Sequence, residues 1–180
     1  MRVIAGRWGG RELRAPAGRN TRPTAARVRE ALFAMLEPLE GATVLDLFAG
    51  TGALGIEALS RGAARAVFVE RDGGAVRALR GNLSALGVGG EEARVRRQDV
   101  AVALGAARRA GETYDLVLID PPYRGARAGA GALEQALIPL LAPGARVAVE
   151  SDRRDPLTLA LEVVRERRYG DTSITIHRHQ

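Results

Sequence analysis

Two stretches of the chain combine residue types that could do chemistry together. The first runs from the apolar Val44-Leu45 through Asp46 into a glycine turn, Phe48-Ala49-Gly50-Thr51-Gly52, and on to Gly55. The second, Asp120-Pro121-Pro122-Tyr123, closes the apolar run Leu116-Val117-Leu118-Ile119. Glycines at 50, 52 and 55 have the spacing of a dinucleotide loop, and Glu70 ends the next apolar run, where an acid could hold a ribose. A nicotinamide oxidoreductase therefore competes with any other nucleoside-binding reading.

Asp46 separates the readings. A pyrophosphate seated at the helix N-terminus has no use for a carboxylate just ahead of the first glycine. S-adenosylmethionine (SAM) carries an α-ammonium and a sulfonium and no phosphate, so an acid beside the turn suits it. In an open parallel sheet the ligand lies across the carboxyl ends of the strands. Glu70 is then expected to accept the ribose hydroxyls, and Asp99, followed by Val100, to meet the adenine amine. Asp99 could equally be no more than the N-cap of a following helix. The expected cofactor-binding set is Asp46, Phe48, Ala49, Gly50, Thr51, Gly52, Glu70, Arg71, Asp99 and Val100.

Asp120, Pro121, Pro122 and Tyr123 form the expected catalytic set. Consecutive prolines remove backbone donors and stiffen the turn, leaving carbonyl acceptors at the pocket mouth. Asp120 and the Pro121 carbonyl can accept hydrogens from a planar exocyclic amine while Tyr123 stacks on the base. With SAM as an electrophile, orientation and charge accommodation matter more than a strong base.

These residues need strands and turns to converge. After Gly41 the pattern alternates, with strands expected at 43–48, 66–70, 94–98, 115–120 and 145–150 and helices near 53–60, 73–86, 100–109 and 132–141. Leu161 to Val164 and Thr172 to Ile176 read as a closing hairpin around Gly170-Asp171, able to add an antiparallel strand. Upstream, Val28, Leu32, Met35 and Leu36 recur at helical spacing from Thr24 to near Pro38. Residues 2 to 15 suggest a short hairpin turning at Gly9-Gly10. Residues 1–23 are thus expected to form a basic extension and 24–180 the catalytic domain.

Charge is uneven. All 27 basic residues are Arg, and the net charge is +6. Residues 1 to 36 hold eight Arg against Glu12 and Glu30, a balance that equals the net charge of the whole chain. A basic arm on a neutral body fits a phosphate-backbone binder, and Arg2, Arg7, Arg11, Arg14 and Arg19 are its expected RNA contacts. There is no Cys, and the two histidines, His177 and His179, lie in the tail, so no metal site is expected. With neither a signal-type start nor a membrane-length apolar run, a cytoplasmic protein without membrane attachment is expected.

The stretches Asp46 to Gly52, Asp120 to Tyr123, Arg2 to Arg11 and Arg22 to Phe33 together resemble the RsmD family, bacterial 16S rRNA (guanine(966)-N(2))-methyltransferases. The resemblance covers nearly the whole chain. It implies an α/β, Rossmann-like class I SAM-dependent methyltransferase with a seven-stranded, mostly parallel sheet, an antiparallel last strand and a small N-terminal β-hairpin extension. It further implies methyl transfer to the N2 amine of one guanine in small-subunit rRNA of an assembled or partly assembled 30S particle, with S-adenosylhomocysteine as product; a monomer is expected. Family members often carry Phe where this chain has Tyr123, and Tyr also occurs in adenine-N6 methyltransferases. Adenine-N6 methylation of DNA or RNA therefore stays open at this point, as do an oxidoreductase and a pure nucleic-acid binding module.

Overall fold

The apolar runs that sequence periodicity marks as strands are buried on both faces, which is why they lack alternation. The computed structural model describes residues 1–15, 23–121 and 129–180. After helix α1 (Pro23–Leu36) come β1 (Thr43–Leu47), α2 (Ala53–Ser60), β2 (Arg65–Glu70), α3 (Gly73–Ala85) and β3 (Ala93–Arg97). Then follow α4 (Val100–Arg109), β4 (Tyr114–Ile119), α5 (Ala130–Leu137), β5 (Leu141–Asp152), β6 (Glu162–Tyr169) and β7 (Thr172–Arg178).

The seven strands lie in the order β3-β2-β1-β4-β5-β7-β6, and β7 alone runs against its neighbours. The order reverses between β1 and β4, so the loops leaving their carboxyl ends diverge and open a crevice there. Side-chain alternation divides the core. Leu116, Leu118, Phe68, Ala148, Ile174 and Ile176 pack with α1, α2 and α3 on one face. Leu45, Val67, Val117, Ile119, Val147 and Val149 pack with α4 and α5 on the other.

Four elements differ from the sequence expectation; one is β5, expected at 145–150, which starts four residues earlier and ends two later. The N-terminal segment forms a single antiparallel bridge, Arg2 with Glu12, around a 3-10 turn at Gly6–Trp8, instead of two regular strands. Its regularity is limited because Val3, Trp8 and Leu13 are buried in the core shared with α1 and α2. Gly6 approaches α2 so closely that a Cβ would lie 1.8 Å from the Ser60 carbonyl oxygen, and its φ is 80°. The helix expected over 132–141 ends at Leu137 and passes into a 3-10 turn, Ile138–Leu140, because Pro139 has no amide to continue the ladder. Strand β6 runs on to Tyr169 through Arg165-Glu166-Arg167-Arg168, an edge strand whose charges face solvent and hide the strand pattern.

Candidate active site at the carboxyl edge of the sheet

Asp46 sits one residue before the end of β1 and is 1% exposed. Its Oδ2 accepts the Gly55 amide at 2.9 Å, so the acid braces the first turn of α2. Burial pushes its carboxyl up to about 7, against the Gly55 hydrogen bond, with Asp120 and Glu70 adding repulsion. The chain leaves β1 through Phe48 with φ 60°, then Gly50 at 55° and Gly52 at 84°. A non-glycine residue in the left-handed region marks a loop held by its surroundings.

The three glycines serve different ends. A Cβ on Gly52 would meet Leu79 Cδ1 at 2.2 Å, and one on Gly55 would meet Phe68 Cε1 at 2.3 Å. Packing requires glycine at 55, and the left-handed φ of 84° together with Leu79 requires it at 52. At Gly50 the nearest atom to an added Cβ is 4.0 Å away, so the space above it is open to a ligand. Ala49 is buried and Thr51 half-buried within the same turn.

Glu70, at the end of β2, accepts the Gly50 amide on Oε2 at 2.9 Å and the Asp72 amide on Oε1 at 2.7 Å. The acid therefore ties the glycine turn to the loop after β2. Arg71 is exposed and reaches Asp99 at 4.0 Å. Asp99 caps α4, accepting the Ala101 amide at 3.0 Å, and Val100 opens that helix half-buried. The cap leaves Asp99 exposed beside Arg71.

Asp120 follows β4 at the switch point and is open to solvent on the crevice side, while Pro121 is buried. The protein packed around Asp120 holds its carboxyl above the ordinary carboxylate range. Pro122 and Tyr123 lie outside the described residues, as does Arg19 of the arm. Sequence reasoning missed Glu150, half-buried on β5 and close enough to Asp120 to interact with it electrostatically. Its carboxyl is also pushed up, first by burial and then by Asp120, against the opposing pull of Arg29. The signal was present: Val147-Ala148-Val149-Glu150 is an apolar run closed by an acid, like Val67-Phe68-Val69-Glu70.

The arm is tied to this site from below. Buried Glu57 on α2 accepts the amides of Ile4 at 2.7 Å and Ala5 at 3.0 Å and the Arg61 Nε at 2.8 Å. Ser60 Oγ accepts the Trp8 amide at 3.0 Å. Buried Asn82 on α3 accepts the Arg14 amide at 2.8 Å and donates to the carbonyls of Arg14, 3.1 Å, and Thr51, 3.0 Å. Of the expected RNA contacts, Arg2 pairs with Glu12 at 2.9 Å and Arg7 with Glu92 at 2.6 Å while lying over the Trp8 ring. Arg11 donates to the Ala85 carbonyl at 3.2 Å, and Arg14 is exposed. Among the described residues no cluster of His, Cys, Asp and Glu could hold a metal ion, and no helix is long and apolar enough to cross a membrane.

A sheet of this order with one antiparallel strand, a glycine turn after β1 and acids closing β2 and β4 defines the Rossmann-like class I methyltransferase fold. A structure solved in complex with S-adenosylhomocysteine shares that fold at a TM-score of 0.73 and 16% identity, covering 88% of this chain and 50% of that one. More similar are the Escherichia coli protein yhhF, TM-score 0.85 at 36% identity over 100% of this chain and 98% of that one, and a protein of Thermus thermophilus, TM-score 0.85 at 34% over 99% of each. YlbH of Bacillus subtilis is 38% identical over 182 aligned positions, 99% of this chain and 98% of its own length. Escherichia coli "Ribosomal RNA small subunit methyltransferase D" is 43% identical over 125 positions, 69% of this chain and 61% of its own length. The family described as "Conserved hypothetical protein 95" matches residues 1–178. The chain belongs to that family, the RsmD family of the sequence resemblance.

Proposed function

We propose that this protein transfers a methyl group from SAM to the exocyclic N2 amine of one guanine in 16S rRNA, acting on an assembled or partly assembled small subunit. At the coarser level, it is an rRNA methyltransferase of the small subunit. That level rests on family membership and on the relatives named small subunit methyltransferase D. The observation that carries the reading is the cluster of acids at one sheet edge: Asp46, Glu70 and Asp120 interact electrostatically. Such a set suits a cationic ligand and repels a pyrophosphate, which disfavours the nicotinamide alternative.

The residues present fit SAM. Glu70 is placed for the ribose, Gly50 leaves open space for close approach, and Asp46 lies beneath the turn to face an ammonium. Phe48, Ala49, Thr51 and Gly52 shape the turn, and Arg71, Asp99 and Val100 form the far rim. When bound, SAM supplies an activated methyl group. Asp120 and the Pro121 carbonyl accept the hydrogens of the target amine and turn its lone pair toward that methyl. Pro122 stiffens the turn, and Tyr123 stacks on the base. As the N–C bond forms and the S–C bond breaks, the nitrogen becomes positive, and Asp120 stabilises that charge and takes up the proton.

Residues 24–180 serve as the catalytic domain and residues 1–23 as a basic extension. Arg2, Arg7, Arg11, Arg14 and Arg19 contact rRNA phosphates, exchanging weak surface pairs for charge-assisted bonds. The protein works as a monomer without a metal, in the cytoplasm with the ribosomal particles. The test is incubation with tritiated SAM and, separately, naked 16S rRNA, small subunits, intact ribosomes and DNA, followed by digestion to nucleosides. Label in N2-methylguanosine from the small subunit is expected. Label in N6-methyladenine instead, or in no substrate, overturns the reading.

A further inference from the structure

Strand β4 pairs with β5 in parallel register as far as Ile119 opposite Val149; Asp120 and Glu150 each follow that last pair and lie close enough to interact electrostatically. Ile119 and Val149 belong to the core face under α4 and α5, whereas Leu118 and Ala148 belong to the face under α1. Alternation therefore puts Asp120 and Glu150 on the α1 face together, as neighbours on strands about 4.8 Å apart. Asp46, opposite Leu118 on β1, shares that face. On its other side Glu150 lies opposite Ile174 of β7, which is fully buried. Arg29 of α1 covers this end of the face. It is 5% exposed, donates to the Arg2 carbonyl, lies 3.9 Å from Glu57, and its Nε is buried without a hydrogen-bond partner.

Two carboxylates held side by side at the sheet edge repel each other, and both carboxyls are held above their ordinary range. Arg29 opposes this for Glu150 but leaves the pair short of donors on the crevice side. A ligand that presents two adjacent N–H groups relieves the repulsion. Among the bases, guanine offers N1–H beside the N2 amine. Adenine offers an N1 lone pair beside its N6 amine and would set that lone pair against a carboxylate.

We propose that Glu150 is a specificity-determining residue that accepts guanine N1–H while Asp120 accepts the N2 amine, so that the pair selects guanine over adenine. This rests on the guanine-N2 reading. It deepens that reading by naming the residue that sets base identity. The pair reads two donors in one plane, and loss of one leaves a carboxylate facing the base without its donor.

The experiment compares small subunits reconstituted with guanosine or with 2-aminopurine riboside at the nucleotide the wild-type protein methylates. The analogue keeps the N2 amine, replaces N1–H by a lone pair and lacks the 6-oxo group, so the N1 contact is read from how a Glu150 variant changes the ratio. Wild-type kcat/KM is expected to favour guanine by roughly ten- to a hundredfold. Glu150→Gln, whose amide can donate to that lone pair, is expected to narrow the ratio several-fold while retaining S-adenosylhomocysteine binding. Should the Gln variant fail to fold, the ratio in Glu150→Ala, expected to narrow likewise, carries the test. Equal rates on guanine and the analogue, or an unchanged ratio in a folded Glu150 variant, overturn the role of Glu150 and leave the methyltransferase reading standing. Absence of N2-methylguanosine from the wild-type reaction itself overturns the underlying reading.

Discussion

Asp46 Oδ2 accepts the Gly55 amide at 2.9 Å, which joins the end of β1 to the first turn of α2 beneath the glycine turn. The acid is therefore structural, whatever it offers a ligand. Its folded carboxyl is raised to about 7 from a usual 3.8, chiefly by burial. The native protein keeps that proton where the unfolded chain has released it, so the Asp46 contribution to stability declines as pH rises from about 4 to about 7. Asp46→Asn keeps an acceptor for Gly55 and removes the decline. Urea melts should show the wild type losing stability relative to this variant across that window. A constant difference between the two proteins would contradict the assignment.

The glycines give a contrast in kind. Gly52→Ala and Gly55→Ala drive a Cβ into Leu79 and Phe68 and should cost on the order of 2–4 kcal/mol, read as a lowered Tm. Gly50→Ala meets only the strain of φ 55°, about 1 kcal/mol, and should lower S-adenosylhomocysteine affinity more than stability. Calorimetry and thermal melts on the three variants separate the effects. A Gly50 variant that melts like the other two would be inconsistent with open space above the turn.

Glu57 holds the N-terminal segment through Ile4 and Ala5 and pairs with Arg61. Glu57→Ala leaves the Ile4 and Ala5 amides without their acceptor and removes the carboxylate beside Arg29 and Arg61, at about 3–5 kcal/mol. Residues 1–15 should undock, read as fast amide exchange at Val3 to Ala5 and early proteolytic cleavage there. Protection unchanged from wild type would refute the anchor.

The arm's charge is testable without deleting it. Because Val3, Trp8 and Leu13 are in the core, removal of residues 1–15 would uncover apolar surface and confound any binding loss. Arg7→Ala or Arg11→Ala should instead reduce the log-log salt slope of small-subunit RNA binding by roughly one each. Unchanged slopes would assign these arginines to Glu92 and Ala85 alone.

Much of this was legible because buried parallel strands are written as apolar runs and their ends as acids or glycines. β1, β2 and β4 lie within a residue of their expected limits for that reason. Glu57 and Asn82 were not legible as anchors, since a polar residue on a helix reads as solvent-facing until a second segment covers it. The extent of β6 was hidden by its Arg and Glu residues, and Glu150 by the need to know which strand lies beside β4. Asp99 was readable in both roles, and the structure shows the cap.

Asp120 is proposed to orient the N2 amine of a small-subunit guanine, and everything else in the site serves that contact. Its loss should remove a transition-state interaction and leave the cofactor seat intact. The direct measurement is single-turnover formation of N2-methylguanosine in small subunits by wild type and Asp120→Ala, with S-adenosylhomocysteine affinity measured on both. The expected result is a rate lowered by roughly a hundredfold or more at near-equal affinity. Wild-type rates in Asp120→Ala, or a loss matched by an equal fall in S-adenosylhomocysteine affinity, would contradict it.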